Sequence, residues 1–119
     1  MKPAFIVAFV LVTAYLGAPV VDGSGVVRIN GVIAGYFDHG GNIRVKGVVT
    51  GRIESNGTVR KNGVIVGQVE ANGDVRSVGK IVGRVDDNGT VWKGGKIVGN
   101  ATGMSKAQAA AVFVFGFFD

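Results

Sequence analysis

The sequence predicts a mainly β protein: a closed antiparallel meander, or barrel, of five 16-residue hairpin repeats with hydrophobic helices at the N- and C-termini. Three observations lead there. Residues 25–104 fall without a gap into five rows of 16, so one short unit is used five times. Glycine supplies 21 of the 119 residues against a usual share of about 7%, while proline supplies only 2, which is turn-rich and neither collagen-like nor proline-rich. The two ends are apolar and do not share the repeat.

The chain divides at residues 23 and 104. Residues 1–23 begin Met1-Lys2-Pro3 and run apolar from Ala4 to Val12, broken only mildly by Thr13 and Tyr15 before Leu16. A basic start and about a dozen apolar residues are the layout of a secretory signal peptide, here with its best small-residue cleavage site after Ala18. An uncleaved membrane anchor is the second reading, since the run to Val21 approaches the ~20 residues that span a bilayer, and a buried core helix is the third. The first two place the domain outside the cytoplasm (periplasmic, cell-surface or secreted) or anchored at a membrane.

Residues 24–104 carry the repeat. Its first, seventh and eleventh columns are glycine in every row. The third is Val27, Ile43, Val59, Val75 and Val91, and the ninth is Ile33, Val49, Ile65, Ile81 and Ile97. Each row then holds two short strands, such as Thr58-Val59-Arg60 and Val64 to Glu70. Keeping all Val/Ile columns on one face requires three-residue loops at both turns: Lys61-Asn62-Gly63, pairing Val59 with Ile65, and Ala71-Asn72-Gly73, pairing Val69 with Val75. Glycines at column eleven, mid-strand on that face, imply that something packs closely against them.

Residues 105–119 supply a candidate. Ser105 and Gln108 have capping-box spacing, and no polar residue occurs from Ala109 to Phe118. Eight strands roughly fill a barrel with side chains, so ten leave space that Val, Ile and Gly do not fill. A helix from Lys106 to Phe118, about 20 Å long at 1.5 Å per residue, would plug it, with the N-terminal apolar segment as the alternative plug.

The cycle Gly-x-Ile/Val-x-Gly-x-Val-Glu/Asp-x-Asn-Gly-x-Val-Arg, as in Gly63 to Arg76, resembles the β-flower family across residues 25–104. The resemblance implies a shallow, pseudo-symmetric barrel of β-hairpin petals, similar in architecture to tubby-like lipid-binding domains that thread a hydrophobic helix through the barrel. It implies no activity and carries over no functional residue. The chain departs from the family in having five rows where four petals are common, and in lacking aromatics in the short strand except Trp92.

Chemistry-bearing residues are few. The absence of cysteine excludes disulfides, thiolate metal sites and catalytic thiols. His39 stands alone in a glycine-rich loop and cannot make a metal site by itself. No enzyme, metal or cofactor is expected. The feature above background is a column of cations: Arg28, Arg44, Arg60 and Arg76 recur at one position with Trp92 as the fifth member, and Arg52 and Arg84 lie across from them. These seven residues are the candidate site for anions, since guanidinium forks suit phosphate and carboxylate. The alternative is that they pair with the acids of column fourteen: Asp38, Glu54, Glu70 and Asp86.

With a net charge of +5, the expected partner is an anionic membrane lipid or an acidic polymer. Interleaved acids argue against nucleic acid. The chain is expected to be a monomer, with an oligomer as the alternative, and to act as a structural or binding module at a membrane surface. A β-solenoid that polymerises into a surface fibre is the competing reading.

Overall fold

The computed structural model describes residues 18–119. Eleven strands form one sheet in which every strand pairs antiparallel with its sequence neighbours. They are β1 (Val20–Val21), β2 (Val26–Ile29), β3 (Val32–Phe37), β4 (Asn42–Val45), β5 (Val48–Ile53), β6 (Thr58–Lys61), β7 (Val64–Val69), β8 (Asp74–Ser77), β9 (Lys80–Val85), β10 (Thr90–Lys93) and β11 (Lys96–Asn100). The expected meander is present, and it is the arrangement of hairpins rather than of parallel coils stacked in a solenoid. Two points differ. The sheet is not closed, because β1 and β11 share no ladder. The turn after β11, not the strand itself, approaches β1: a Cβ built on Gly103 would lie 2.5 Å from the Val21 carbonyl oxygen. One strand more than the ten expected is present: β1, Val20–Val21, drawn from the segment read as a leader. The rest of that reading, on residues 1–17, lies outside the described residues.

Each repeat is a hairpin with a tip and a base. At the base the expected register holds, with Val69 opposite Val75 across a three-residue loop. Gly73 donates its N–H to Glu70 and accepts from the Val85 N–H at 2.8 Å, with φ +97. A side chain there would meet both left-handed strain and the Val85 carbonyl, so only glycine fits.

The tips differ from expectation. Asn62 and Gly63 both have positive φ and form a two-residue turn, pairing Lys61 with Val64 and Arg60 with Ile65. The register then shifts, so that Val59 faces Gly67 and Val66 is the extra residue of a bulge. The same shift occurs in all five hairpins. One additional residue per hairpin is needed to turn Val59 and Val69 to the same side. The chain places it in the bulge, not the loop. Column nine therefore faces outward beside the arginines, and not into the core.

The core is the other face. Val27, Ile43, Val59, Val75 and Val91 are all 0% exposed, and Phe37, Val69, Val85 and Ala101 of column thirteen join them. Burying each large aliphatic side chain contributes roughly 1.5–3 kcal/mol.

The C-terminal segment packs on this face. Its helix is shorter than expected: α1 (Lys106–Ala109) is followed by a π-helical turn, Ala110–Val114, in which the Phe115 N–H donates to Ala110. Phe117 and Phe118 lie beyond it. The capping box forms, with Ser105 Oγ accepting from the Gln108 N–H at 3.1 Å and Gln108 Oε1 accepting from the Ser105 N–H at 3.0 Å.

The mid-strand glycines meet this segment one for one. A Cβ on Gly99 would strike Phe113, on Gly83 Val114, on Gly67 Phe115, on Gly51 Phe117 and on Gly35 Phe118. Successive side chains thus reach successive hairpins. An α-helix advances about 100° per residue, and the wider π turn over Ala110–Val114 shortens that step, so neighbouring side chains diverge less.

Candidate functional site

The outward column of cations is a ladder of ion pairs. Arg28 reaches Asp22 at 3.2 Å, Arg44 reaches Asp38 at 3.3 Å and Arg76 reaches Glu70 at 2.6 Å, and Arg60 pairs with Glu54 in the same way. In each case the acid lies six residues earlier, on the base loop that precedes the arginine's strand. Trp92 keeps the pattern with a different group, its indole N–H donating to Asp86 at 2.8 Å. The register places Arg52 opposite Arg60 and Arg84 opposite Trp92. Arg84 bridges Asp74 and Asp86, each at 2.7 Å. Among the described residues Arg52 alone of the seven has no such partner.

Hydrogen bonds and neighbouring cations lower the pKa of four of the acids, Asp22, Asp38, Asp86 and Asp87. Asp22 is lowered to about 2 by hydrogen bonds from the Ser24 hydroxyl and from the Ser24 and Val26 N–H groups. Asp38 is lowered chiefly by the Asn42 N–H, Asp86 by the Trp92 indole and then Arg84, and Asp87 by Lys106. The Arg84 guanidinium is raised by Asp86 and Asp74. Six candidates are therefore already engaged within the protein: five guanidinium groups and the Trp92 indole are turned to the base acids.

The structure brings together a second set at the opposite end. Val32, Ile33, Val48, Val49, Val64 and Ile65 crowd the first three tips and are 44–68% exposed. Val78, in the fourth tip turn, is 96% exposed with φ 54. Ile81 and Ile97 continue the row. Lys46, Lys61, Lys80, Lys93 and Lys96 stand among them, Lys61 with its ammonium over the Phe117 ring at 5.5 Å. The acids from Asp22 to Asp87 are at or near the base, and Asp119 is the one acidic side chain on the tip side among the described residues.

Sequence reasoning missed this rim because it turned column nine inward. The signal was present: Asn-Gly favours a two-residue turn with both residues left-handed, which sets Ile65 beside Arg60.

A surface cleft of about 870 Å³ runs between the last two hairpins, past Trp92, Arg84, Ile81 and Val82. At the base, His39 lies exposed in its loop beside a cleft with Arg52 and Glu54. No group of three or more metal-ligating side chains gathers among the described residues, and no helix there is long and apolar enough to cross a membrane. Comparison with protein-family models, curated proteins and solved structures finds no match.

Proposed function

We propose that this protein is a non-enzymatic, exported or membrane-attached β-repeat module of β-flower type that works at a membrane surface. The observation that carries the reading is where the chain joins the sheet. β1 runs from the tips toward the base, so Ala18 and Pro19 sit on the tip side, beside Ile29 and Phe118. The apolar run Ala4 to Leu16 immediately precedes them in the sequence. A membrane holding that run would lie at the tips.

The side chains also favour a structural role over chemistry. Every acidic group from Asp22 to Asp87 is committed to an ion pair, as are five of the six arginines between Arg28 and Arg84. The arginine column thus acts first as a brace between consecutive hairpins. The test is fractionation of cells expressing the full chain, with the intact mass of the product. We expect material that pellets with membranes and resists alkaline carbonate, and that moves to the supernatant in the variant carrying Leu11→Asp and Val12→Asp. Full-mass wild-type protein in the cytosolic supernatant would overturn the proposal.

A further inference from the structure

We propose that the hairpin tips form a docking surface for an anionic lipid bilayer, with the Val/Ile collar entering the interface and the tip lysines meeting headgroup phosphates. This rests on the membrane-surface reading above and replaces the arginine column as the lipid-facing site.

Four observations converge on the rim. Exposed aliphatic pairs recur at each of the first three tips, Val32–Ile33, Val48–Val49 and Val64–Ile65, where apolar surface residues ordinarily stand singly. The lysines beside it give the end a positive charge, while the acids cluster at the opposite end, and compact ammonium groups on flexible stems suit a headgroup layer. Ala18 emerges at this same end, directly after the apolar run.

The fourth is Val78. A β-branched residue with φ 54 is strained, and the equivalent positions hold Asn30, Lys46, Asn62 and Gly94, which tolerate that conformation or reach solvent. Here a valine accepts both the strain and nearly full exposure, which serves nothing inside the fold. Burial in a lipid interface would give its side chain an apolar environment. Strain retained at one exposed place is a pointer to use.

The native chain has no cysteine, so single-cysteine variants label uniquely. Full-length protein carrying Ile65→Cys or Val78→Cys at the tips, and Ser55→Cys or Ala71→Cys at the base, is labelled with an environment-sensitive fluorophore. Each is reconstituted into phosphatidylcholine vesicles with or without phosphatidylserine, and only protein that floats with the vesicles is read. The expected result is a blue shift and quenching by shallow nitroxide lipids at positions 65 and 78, and neither at 55 and 71. Changing Lys46, Lys80 and Lys96 together to Gln should reduce the tip quenching on anionic vesicles to its level on neutral ones. Floating protein with water-like emission at both tips overturns the docking surface and leaves the membrane attachment standing. Protein that floats with neither vesicle overturns both. A tip blue shift that needs no lipid and grows with protein concentration overturns it in favour of a second copy as the occupant.

Discussion

Replacing Gly99 with alanine tests whether the mid-strand glycines exist to receive the C-terminal side chains. The new Cβ would lie 2.6 Å from both Cδ1 and Cζ of Phe113, and the three nearest atoms all belong to that ring. Overfilling a packed site costs about 1–3 kcal/mol, and we expect about 2 kcal/mol here, because a half-buried ring can yield. At roughly 4–8 °C per kcal/mol for a domain of this size, the melting point should fall by about 8–16 °C. Gly67→Ala should cost more, about 3 kcal/mol, because its Cβ would also meet the Arg76 carbonyl oxygen, which cannot swing aside.

The rescue is drawn from the protein's own fourth hairpin, where a Cβ on Gly83 would stand 3.1 Å from Val114. Phe113→Val imitates that pairing. Alone it should destabilise by about 2 kcal/mol through lost burial. Combined with Gly99→Ala, the loss should be smaller than the sum by about 1 kcal/mol. Urea unfolding of the detergent-solubilised full chain, followed by the single tryptophan Trp92, measures all four corners. Additivity within about 0.5 kcal/mol would refute the idea that Gly99 and Phe113 share one space.

Val78→Asn should raise stability by about 1 kcal/mol, because Asn tolerates the left-handed turn, and should weaken tip contact with vesicles; denaturation and quenching read the two effects. Arg60→Gln should cost less than about 1 kcal/mol, the ordinary worth of an exposed pair, and should leave vesicle binding unchanged in co-sedimentation. Asp22, Asp38, Asp86 and Asp87 all titrate lower in the folded chain than the ordinary carboxyl value of about 3.8. Their contribution to stability is therefore present above that value and is lost as pH falls from about 4 toward the folded value, about 2 for Asp22. An acid titration of the urea midpoint should show the loss in that window, and Asp22→Asn should reduce it.

The repeat, the base loops and the need for a covering segment could be read from the sequence. Column eleven was the plainest of these, because glycine in mid-strand on an apolar face marks a bend or the close approach of other atoms. The tips were harder. Parity requires one surplus residue per hairpin, and a three-residue loop or a bulge at Val66 satisfies it equally. Turn chemistry decides between them: Asn30, Lys46, Asn62 and Val78 each precede a glycine and adopt positive φ. That choice turned five aliphatic residues from core to surface and concealed the rim. The arginine column was legible by its period, and so was the acid column. Their pairing is local, each acid six residues before its arginine across one base loop. The open seam and the π turn depend on how five hairpins fit around one segment, which no local pattern encodes.

Hydrogen–deuterium exchange of the full chain, with and without anionic vesicles, tests the membrane-surface account most directly. The tip amides (29–33, 45–49, 61–65 and 77–81) end their strands at the proposed interface, while the base loops (38–41, 54–57, 70–73 and 86–89) face away. The account predicts that vesicles slow exchange at the tips and leave the base loops unchanged. Slowing at the base loops, where the arginines meet their acids, or no change at either end would contradict it.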